Sequence, residues 1–324
     1  MRIMPAPAPT RRARRRVGLA LGGGGVRGLA HIGVLQVLAE AGVPISAIAG
    51  VSMGAIVGAA YALTDEFPGA LIAALRGLDI SPFKSLPRGA GSDGLWTVVR
   101  RLVDVERFMI SNVLSWGVAS DAKVAALASQ LAGERRLEDA RVPLGIVACD
   151  LRSGKPVVFR SGPATLALQA SSALPGFFKP VEFEGRLLAD GGYAGVVPTY
   201  VVRAMGAEAV VAVDADPARA VEDIHDGLHA LFRAFDITSQ RLKEALLRDA
   251  EVVIRPDFGG SIDTLDFSQA DRCVQAGASA ARAALPAIAA LQARPRRARW
   301  WRRRTSTSTP RAPRARGVDW PGTP

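Results

Sequence analysis

Residues 19–35 read LALGGGGVRGLAHIGVL, four consecutive glycines between a short apolar run and a stretch with helical spacing. A run of this kind costs conformational entropy and weakens any regular element that contains it. The chain therefore uses it where backbone must turn sharply or present bare N–H groups to negative charge. Two chemistries make that demand, the cradling of a phosphate and the stabilisation of the oxyanion of a reacting ester. The spacing Gly23-x-Gly25-x-x-Gly28 after a strand fits the dinucleotide fingerprint. That fingerprint needs an acidic residue at the end of the next strand, and here the strand closes as Ile48-Ala49-Gly50. A P-loop needs a lysine and a hydroxyl at the helix start, where this chain has Gly28-Leu29-Ala30. The phosphate reading loses its support on both counts.

The rest of the chain sets short apolar strands against helical stretches. Strands are expected at 17–21 and 45–49, and later in VPLGIVACD, PVVFRS, GRLLAD, AVVAVDA and EVVIRP. Helices are expected at about 28–41, 53–63, 121–132, 197–206, 224–249 and 268–293. The alternation predicts one α/β domain with a mainly parallel central sheet covered on both faces. With 324 residues, 49% of them hydrophobic and 22% charged, the chain is long enough to bury a sizeable core. Its apolar runs fall short of the roughly 20 residues that span a bilayer. The start TRRARRRVGLAL mimics an export signal, but its apolar run stops at Gly22 without a small-residue cleavage site. A basic arm entering a buried strand, and a cytoplasmic location, are the expectations.

The segment 64–120 differs, being rich in Pro and Gly and carrying Phe67, Phe83, Trp96, Phe108 and Trp116. Within it Leu95, Val99, Leu102 and Val103 oppose Arg100, Arg101 and Asp104 at helical spacing. It reads either as an insertion packed on the core or as a lid or lipid-facing surface. Cys149 and Cys273 make no disulfide framework or metal-ligand spacing and are expected to be buried thiols. No metal or cofactor is called for.

The second strand runs into GVSMG, residues 50–54, a G-x-S-x-G sequence at a strand-to-helix junction. That is the pattern of a nucleophile elbow, in which Ser52 sits on a sharp turn, Gly50 and Gly54 permit close packing, and a helix N-terminus favours developing negative charge. A serine nucleophile needs a base. Of the three histidines only His31 lies beside a motif, and it reads as a packed helix residue, while His225 and His229 read as surface residues. A Ser-His-Asp triad is thus poorly supported. Asp150, Asp190 and Asp214 each end an apolar strand and any of them can serve. Asp190 alone is followed by two glycines, Gly191 and Gly192, and spacing does not settle the choice.

In this order GGGGVRG, GVSMG and DGG resemble the patatin-like phospholipases, specifically the bacterial branch related to neuropathy target esterase. The flanking LAHIGVLQVL, SGKPVVFRSG and SSALPGFFKPVEFEGRLLADGGY agree, and the resemblance covers about 17–214. It implies a three-layer α/β/α fold over 17–293 and a serine hydrolase of phospholipid or lysophospholipid esters that needs no cofactor. It further implies Ser52 as nucleophile, Asp190 as general base, and the N–H groups of Gly24 and Gly25, helped by Arg27, as oxyanion hole. Gly22, Gly23 and Gly28 are then left chiefly to allow the turn and the packing. The family commonly continues DGG-x-x-N-N-x-P, whereas this chain has DGGYAGVVP, with Gly195 and Val196 at the asparagine positions. That departure bears on how Asp190 is held and on the shape of the pocket.

The net charge of +11 belongs to the two ends. Segments 1–16 and 294–324 hold sixteen of the 41 basic residues and one of the 30 acidic ones, leaving 25 basic against 29 acidic residues in 17–293, near −4. Both ends are expected to be disordered arms. Such arms suit an anionic membrane surface, and nucleic acid is at most an accessory partner of a mildly acidic domain. The competing readings are a soluble esterase, thioesterase or acyltransferase with the same acyl-serine, and a catalytically silent lipid-binding regulator.

Overall fold

A computed structural model describes residues 15–76, 121–175, 177–216, 224, 227–260, 262 and 266–293. The arm before residue 15, the amphipathic stretch at 95–104 and the tail 294–324 lie outside the described residues, as does His225. Of the segment 64–120, only 64–76 is described, and it includes helix α3 (Gly69–Arg76).

An eight-stranded sheet forms the centre. Its strands are β1 (Val17–Leu21), β2 (Ile45–Val51), β3 (Leu144–Asp150), β4 (Lys155–Phe159), β5 (Val181–Phe183), β6 (Arg186–Asp190), β7 (Ala209–Val213) and β8 (Val252–Ile254), in the order β5-β6-β3-β2-β1-β7-β8 with β4 also on β3. The run β3-β2-β1-β7-β8 is parallel, as the alternation of strands and helices predicts. Strands β4, β5 and β6 are antiparallel additions. All five residues of β1 and all seven of β3 are buried, so these strands are covered on both faces.

The pleat sorts side chains into two cores. Leu19, Leu21, Ile48, Val211 and Val213 face one cluster together with α1 (Ala30–Glu40), α2 (Met53–Leu63), α4 (Asp121–Ala132), α5 (Ala164–Ser171) and α9 (Ala270–Ala293). Ala20, Ala49, Val51, Val210 and Ala212 face the other, beneath α7 (Thr199–Ala204) and the end of α8 (Gly227–Leu247). The one-turn helix α6 (Gly192–Gly195) follows β6. The architecture is three-layered, α/β/α. Helix α5 and the short strand β5 went unread in the sequence, because neither carries a usable period or turn signal.

Helix α9 is apolar and long enough, by length and composition, to cross a membrane. Here one of its sides packs on α1. A Cβ on Gly277 would lie 1.9 Å from the Ala30 carbonyl oxygen, and one on Gly33 would lie 2.0 Å from that of Val274. The two helices therefore meet backbone to backbone, at a separation that only glycine allows. A Gly277→Val substitution is expected to cost about 3 kcal/mol and to lower Tm by roughly 6–12 °C. Gly69→Ala, where a Cβ meets nothing within 4 Å, is expected to be neutral or slightly stabilising. Thermal unfolding of the two variants checks both.

Candidate active site

Two strands share one edge of β3. Strand β2 pairs with its first half and ends at Val51 opposite Val147, while β6 pairs with its second half, Asp190 standing opposite Ala148. Strand β4 occupies the other edge. The residue that leaves β2 thus arrives beside the residue that ends β6. These are Ser52 and Asp190.

Ser52 has φ 52° and ψ −123°, a left-handed conformation that a side-chain-bearing residue adopts only under constraint. Its carbonyl accepts from the N–H groups of Ala55 and Ile56, starting α2. Its own N–H donates to Ser171 Oγ at 3.0 Å, and the Ser171 hydroxyl donates to the Val147 carbonyl at 2.6 Å. The turn is closed sterically as well: a Cβ on Gly50 would lie 2.5 Å from the Gly54 carbonyl oxygen, and one on Gly54 would lie 2.4 Å from that of Leu21. The Ser52 side chain lies near enough to the Asp190 carboxylate to lower its pKa. Asp190 is 5% exposed, and its Oδ1 also accepts from the Gly192 N–H at 2.8 Å. Burial pushes its pKa up to about 6, against the lowering effect of the Ser52 hydroxyl and of the Gly192 N–H. Gly191 passes so close to β3 that a Cβ would lie 2.2 Å from the Val147 carbonyl oxygen.

The glycine run lies alongside. A Cβ on Gly23 would be 3.6 Å from Ser52 Cβ. Gly22 and Gly23 donate to the Val213 and Val196 carbonyls at 3.1 and 3.0 Å, which fixes the start of the loop. Gly24 at φ 152° and Gly25 at φ 59° then turn the chain into the 3-10 turn Gly25–Leu29 that leads into α1. Among the described residues, no backbone carbonyl accepts from the N–H of Gly24 or Gly25. Gly28 packs on the start of α2, where a Cβ would meet Met53 Cβ at 2.6 Å.

The Arg27 side chain is 7% exposed and grips the loop from behind. Its Nε donates to the Gly24 carbonyl at 3.4 Å and its Nη2 lies 2.6 Å from Asp216 Oδ1. Arg27 is buried in this pair, while Asp216 stays partly exposed. His31 is fully buried, with Nε2 2.8 Å from the Gly22 carbonyl oxygen, so Nε2 carries the proton. Burial drives its pKa down to about 4, partly offset by that hydrogen bond. It is a neutral support of the loop, in line with a packed helix histidine.

The other strand-ending aspartates hold structure. Asp150 is buried and accepts from Ser153 Oγ and from the N–H groups of Arg152 and Leu187, closing the β3–β4 turn. Asp214 is clamped between Lys243 Nζ at 3.0 Å and Arg255 Nε at 3.4 Å. Both cysteines are buried and free, and burial raises both thiol pKa values, that of Cys273 to about 11. Gly195 and Val196, at the departure from the family pattern, are engaged in packing: a Cβ on Gly195 would meet Leu246 Cδ1 at 2.9 Å, and the Val196 carbonyl is the one that holds Gly23. A groove of about 340 Å³ backs onto the same place, with an apolar wall from Val124, Ala125, Phe178, Pro180 and Val181. Its residue Ala173 accepts from the Asp190 N–H at 2.9 Å.

Ser171, Asp216 and the Val196 carbonyl escaped sequence reasoning. Ser171 lies 119 residues from the backbone it supports, and no local pattern marks it.

Comparison with known proteins places the chain in a family. The patatin-like phospholipase family pattern matches residues 19–203. An uncharacterized NTE family protein of Mycobacterium tuberculosis is 35% identical over 254 residues, which cover 74% of this chain and 63% of that protein. A patatin-like phospholipase domain-containing protein of Caenorhabditis elegans is 34% identical over 200 residues, 61% of this chain and 13% of that protein. The chain thus spans less than two thirds of the length of these relatives. Among solved structures, VipD from Legionella pneumophila aligns over 85% of this chain and 67% of its own with a TM-score of 0.45 and 15% identity. With its glycine loop, serine turn and aspartate inside or beside a match that spans more than half its length, the chain belongs to the patatin-like phospholipase family.

Proposed function

We propose that the protein hydrolyses fatty-acyl esters of phospholipids or lysophospholipids, with Ser52 as nucleophile and Asp190 as its base. The observation that carries this reading is the strained Ser52 turn set beside a buried carboxylate, Asp190, whose pKa stands near 6. An ordinary aspartate is a weak base, and raising its pKa brings it closer to the operating pH, where general-base catalysis works best.

In the first half-reaction Ser52 Oγ attacks the acyl carbonyl as its proton passes to Asp190. The N–H groups of Gly24 and Gly25, with that of Arg27, receive the tetrahedral oxyanion, a contribution of roughly 3–4 kcal/mol per donor in sites of this kind. Collapse of the intermediate transfers the proton to the departing lyso-lipid or alcohol. Water, deprotonated by Asp190, then attacks the acyl-serine, and the fatty acid leaves with Ser52 restored. The apolar groove, whose residue Ala173 accepts from the Asp190 N–H, offers room for a hydrocarbon chain. The arginine-rich ends at 1–16 and 294–324 supply charge for an anionic membrane surface.

Ser52→Ala and Asp190→Asn are each expected to reduce hydrolysis of a p-nitrophenyl acyl ester to background in folded protein. The wild type is expected to be labelled at Ser52 by a fluorophosphonate. Retention of activity by either variant overturns the pair.

Asp190 must be ionised to act, so kcat/KM is expected to rise with pH through a midpoint near 6 and to level off by about pH 8, a course that a pH–rate profile reads directly.

Stability should move the other way. The folded state holds the Asp190 proton more tightly than the unfolded chain, whose aspartate titrates near 3.8, so its contribution is complete below about pH 4 and lost as pH rises through about 6. Asp190→Asn is therefore expected to be more stable than wild type at pH 8, by up to about 3 kcal/mol, with the gain vanishing towards pH 4. Denaturant unfolding at the two pH values measures it.

A further inference from the structure

Helix α8 is held by one side only. Lys243 and Leu247 are buried on that side, Lys243 paired with Asp214, and the Leu246 carbonyl accepts from Thr199 Oγ1 at 2.9 Å. Its other side faces out. Phe235 and Ile237 are each 44% exposed and Leu242 is 38% exposed, and Ala234, Thr238 and Ala245 between them are exposed too. At 100° per residue these six positions cover a continuous outward arc, with Arg241 inside it and Glu244 at its margin. Six large apolar residues are markedly exposed among the described residues. Three of them lie on this helix, and a fourth, Ile224 at 57%, stands just before it. A concentration of this kind on one element marks an interaction surface.

The arc also borders the candidate site. The ring of Phe235 lies 5.0 Å from that of Tyr193, three residues beyond Asp190. Burial, followed by the nearby Asp190 charge, pushes the Tyr193 hydroxyl pKa up to about 12. Further along, Gln240 donates to Asp216, which pairs with Arg27 under the glycine loop. One helix therefore forms a rim that touches both the aspartate loop and the support of the glycine loop.

We propose that the outward arc of α8 docks on a lipid surface and sets the mouth of the site against it, an inference that rests on the lipid-ester reading of Ser52 and Asp190. A helix of 21 residues is about 31 Å long and presents a narrow apolar strip with a cationic residue in it, the form of helix that lies in the plane of a bilayer interface. A lipid ester in a bilayer must leave it to reach a serine below the rim, and an apolar strip continuous with that rim shortens the exposed path.

The test is flotation of the full chain with vesicles of phosphatidylcholine and phosphatidylglycerol at low salt and at about 0.5 M salt, where exposed arginines are screened. Wild type is expected to float at both. Ile237→Asp combined with Leu242→Asp is expected to lower vesicle partition at high salt about tenfold, and hydrolysis of vesicle lipid with it. Hydrolysis of monomeric p-nitrophenyl butyrate and thermal unfolding should stay unchanged. Thr238→Trp, which enlarges the strip, is expected to raise partition. Flotation of the double variant equal to that of wild type overturns the proposal. So does a wild type that elutes as a dimer and is made monomeric by the two aspartates, since the face then serves a second copy of the chain. Wild type that floats by this face yet hydrolyses neither substrate supports the docking and overturns the ester-hydrolase reading.

Discussion

The site depends on how one edge of β3 is divided between two neighbours. A parallel strand, β2, uses the edge as far as Val147, and an antiparallel strand, β6, takes it over from Ala148. Neither strand alone carries the chemistry. The handover places the end of one against the end of the other, so that a hydroxyl and a carboxylate 138 positions apart in the chain become neighbours. The glycines nearby answer the same demand for room. Gly54 and Gly191 are the points where backbone crosses backbone at separations that a Cβ forbids, and a side chain at either would push the two chain ends apart.

An arrangement of this kind works against stability. Ser52 is held in a left-handed conformation, which costs about 1–3 kcal/mol. Asp190 is buried with no cationic partner among the described residues, only hydrogen-bond donors. The surrounding structure overdetermines both. The Ser52 N–H is fixed by Ser171, and Ser171 is itself fixed by Val147, so the strained turn is tied to the same strand whose edge creates the site. Strain and desolvation concentrated at one place are features expected of a functional centre more than of a structural turn.

Much of this was legible in the sequence, and the legible part has a common cause. β1 and α2 fall at Val17–Leu21 and Met53–Leu63, where a fully apolar strand and a glycine-bounded helix give strong local signals. Ser52 and the glycine loop were readable for the same reason, since a sharp turn at a strand end leaves its mark within a few residues. Choosing Asp190 over Asp150 and Asp214 needed the family resemblance, because all three end buried strands and differ only in what lies opposite. Sheet register sets the three apart: Asp190 faces the end of β2, Asp150 faces its own turn, and Asp214 faces Lys243. Helix α5, which carries Ser171, was missed, and so was the role of Asp216. Each acts through a partner more than a hundred positions away, and no local pattern records such a pairing.

The buried charges on the β7 side follow from the same logic of tying distant elements to one loop. Ion pairs taken out of water add little net stability, because desolvation offsets most of their attraction, but breaking one is expensive. Arg27 with Asp216, and Lys243 with Asp214, are therefore better understood as fixing position than as adding strength. Lys243 reaches Asp214 by its ammonium group and the Asp216 carbonyl by a further hydrogen bond, so α8 is bolted to the segment that Arg27 uses to hold Gly24. A shift of α8 would be transmitted through a short, stiff chain of charged contacts to the N–H groups beside Ser52. The apolar outer face of that helix and the polar inner face are then two sides of one element, one turned outward and the other tied to the backbone of the glycine loop.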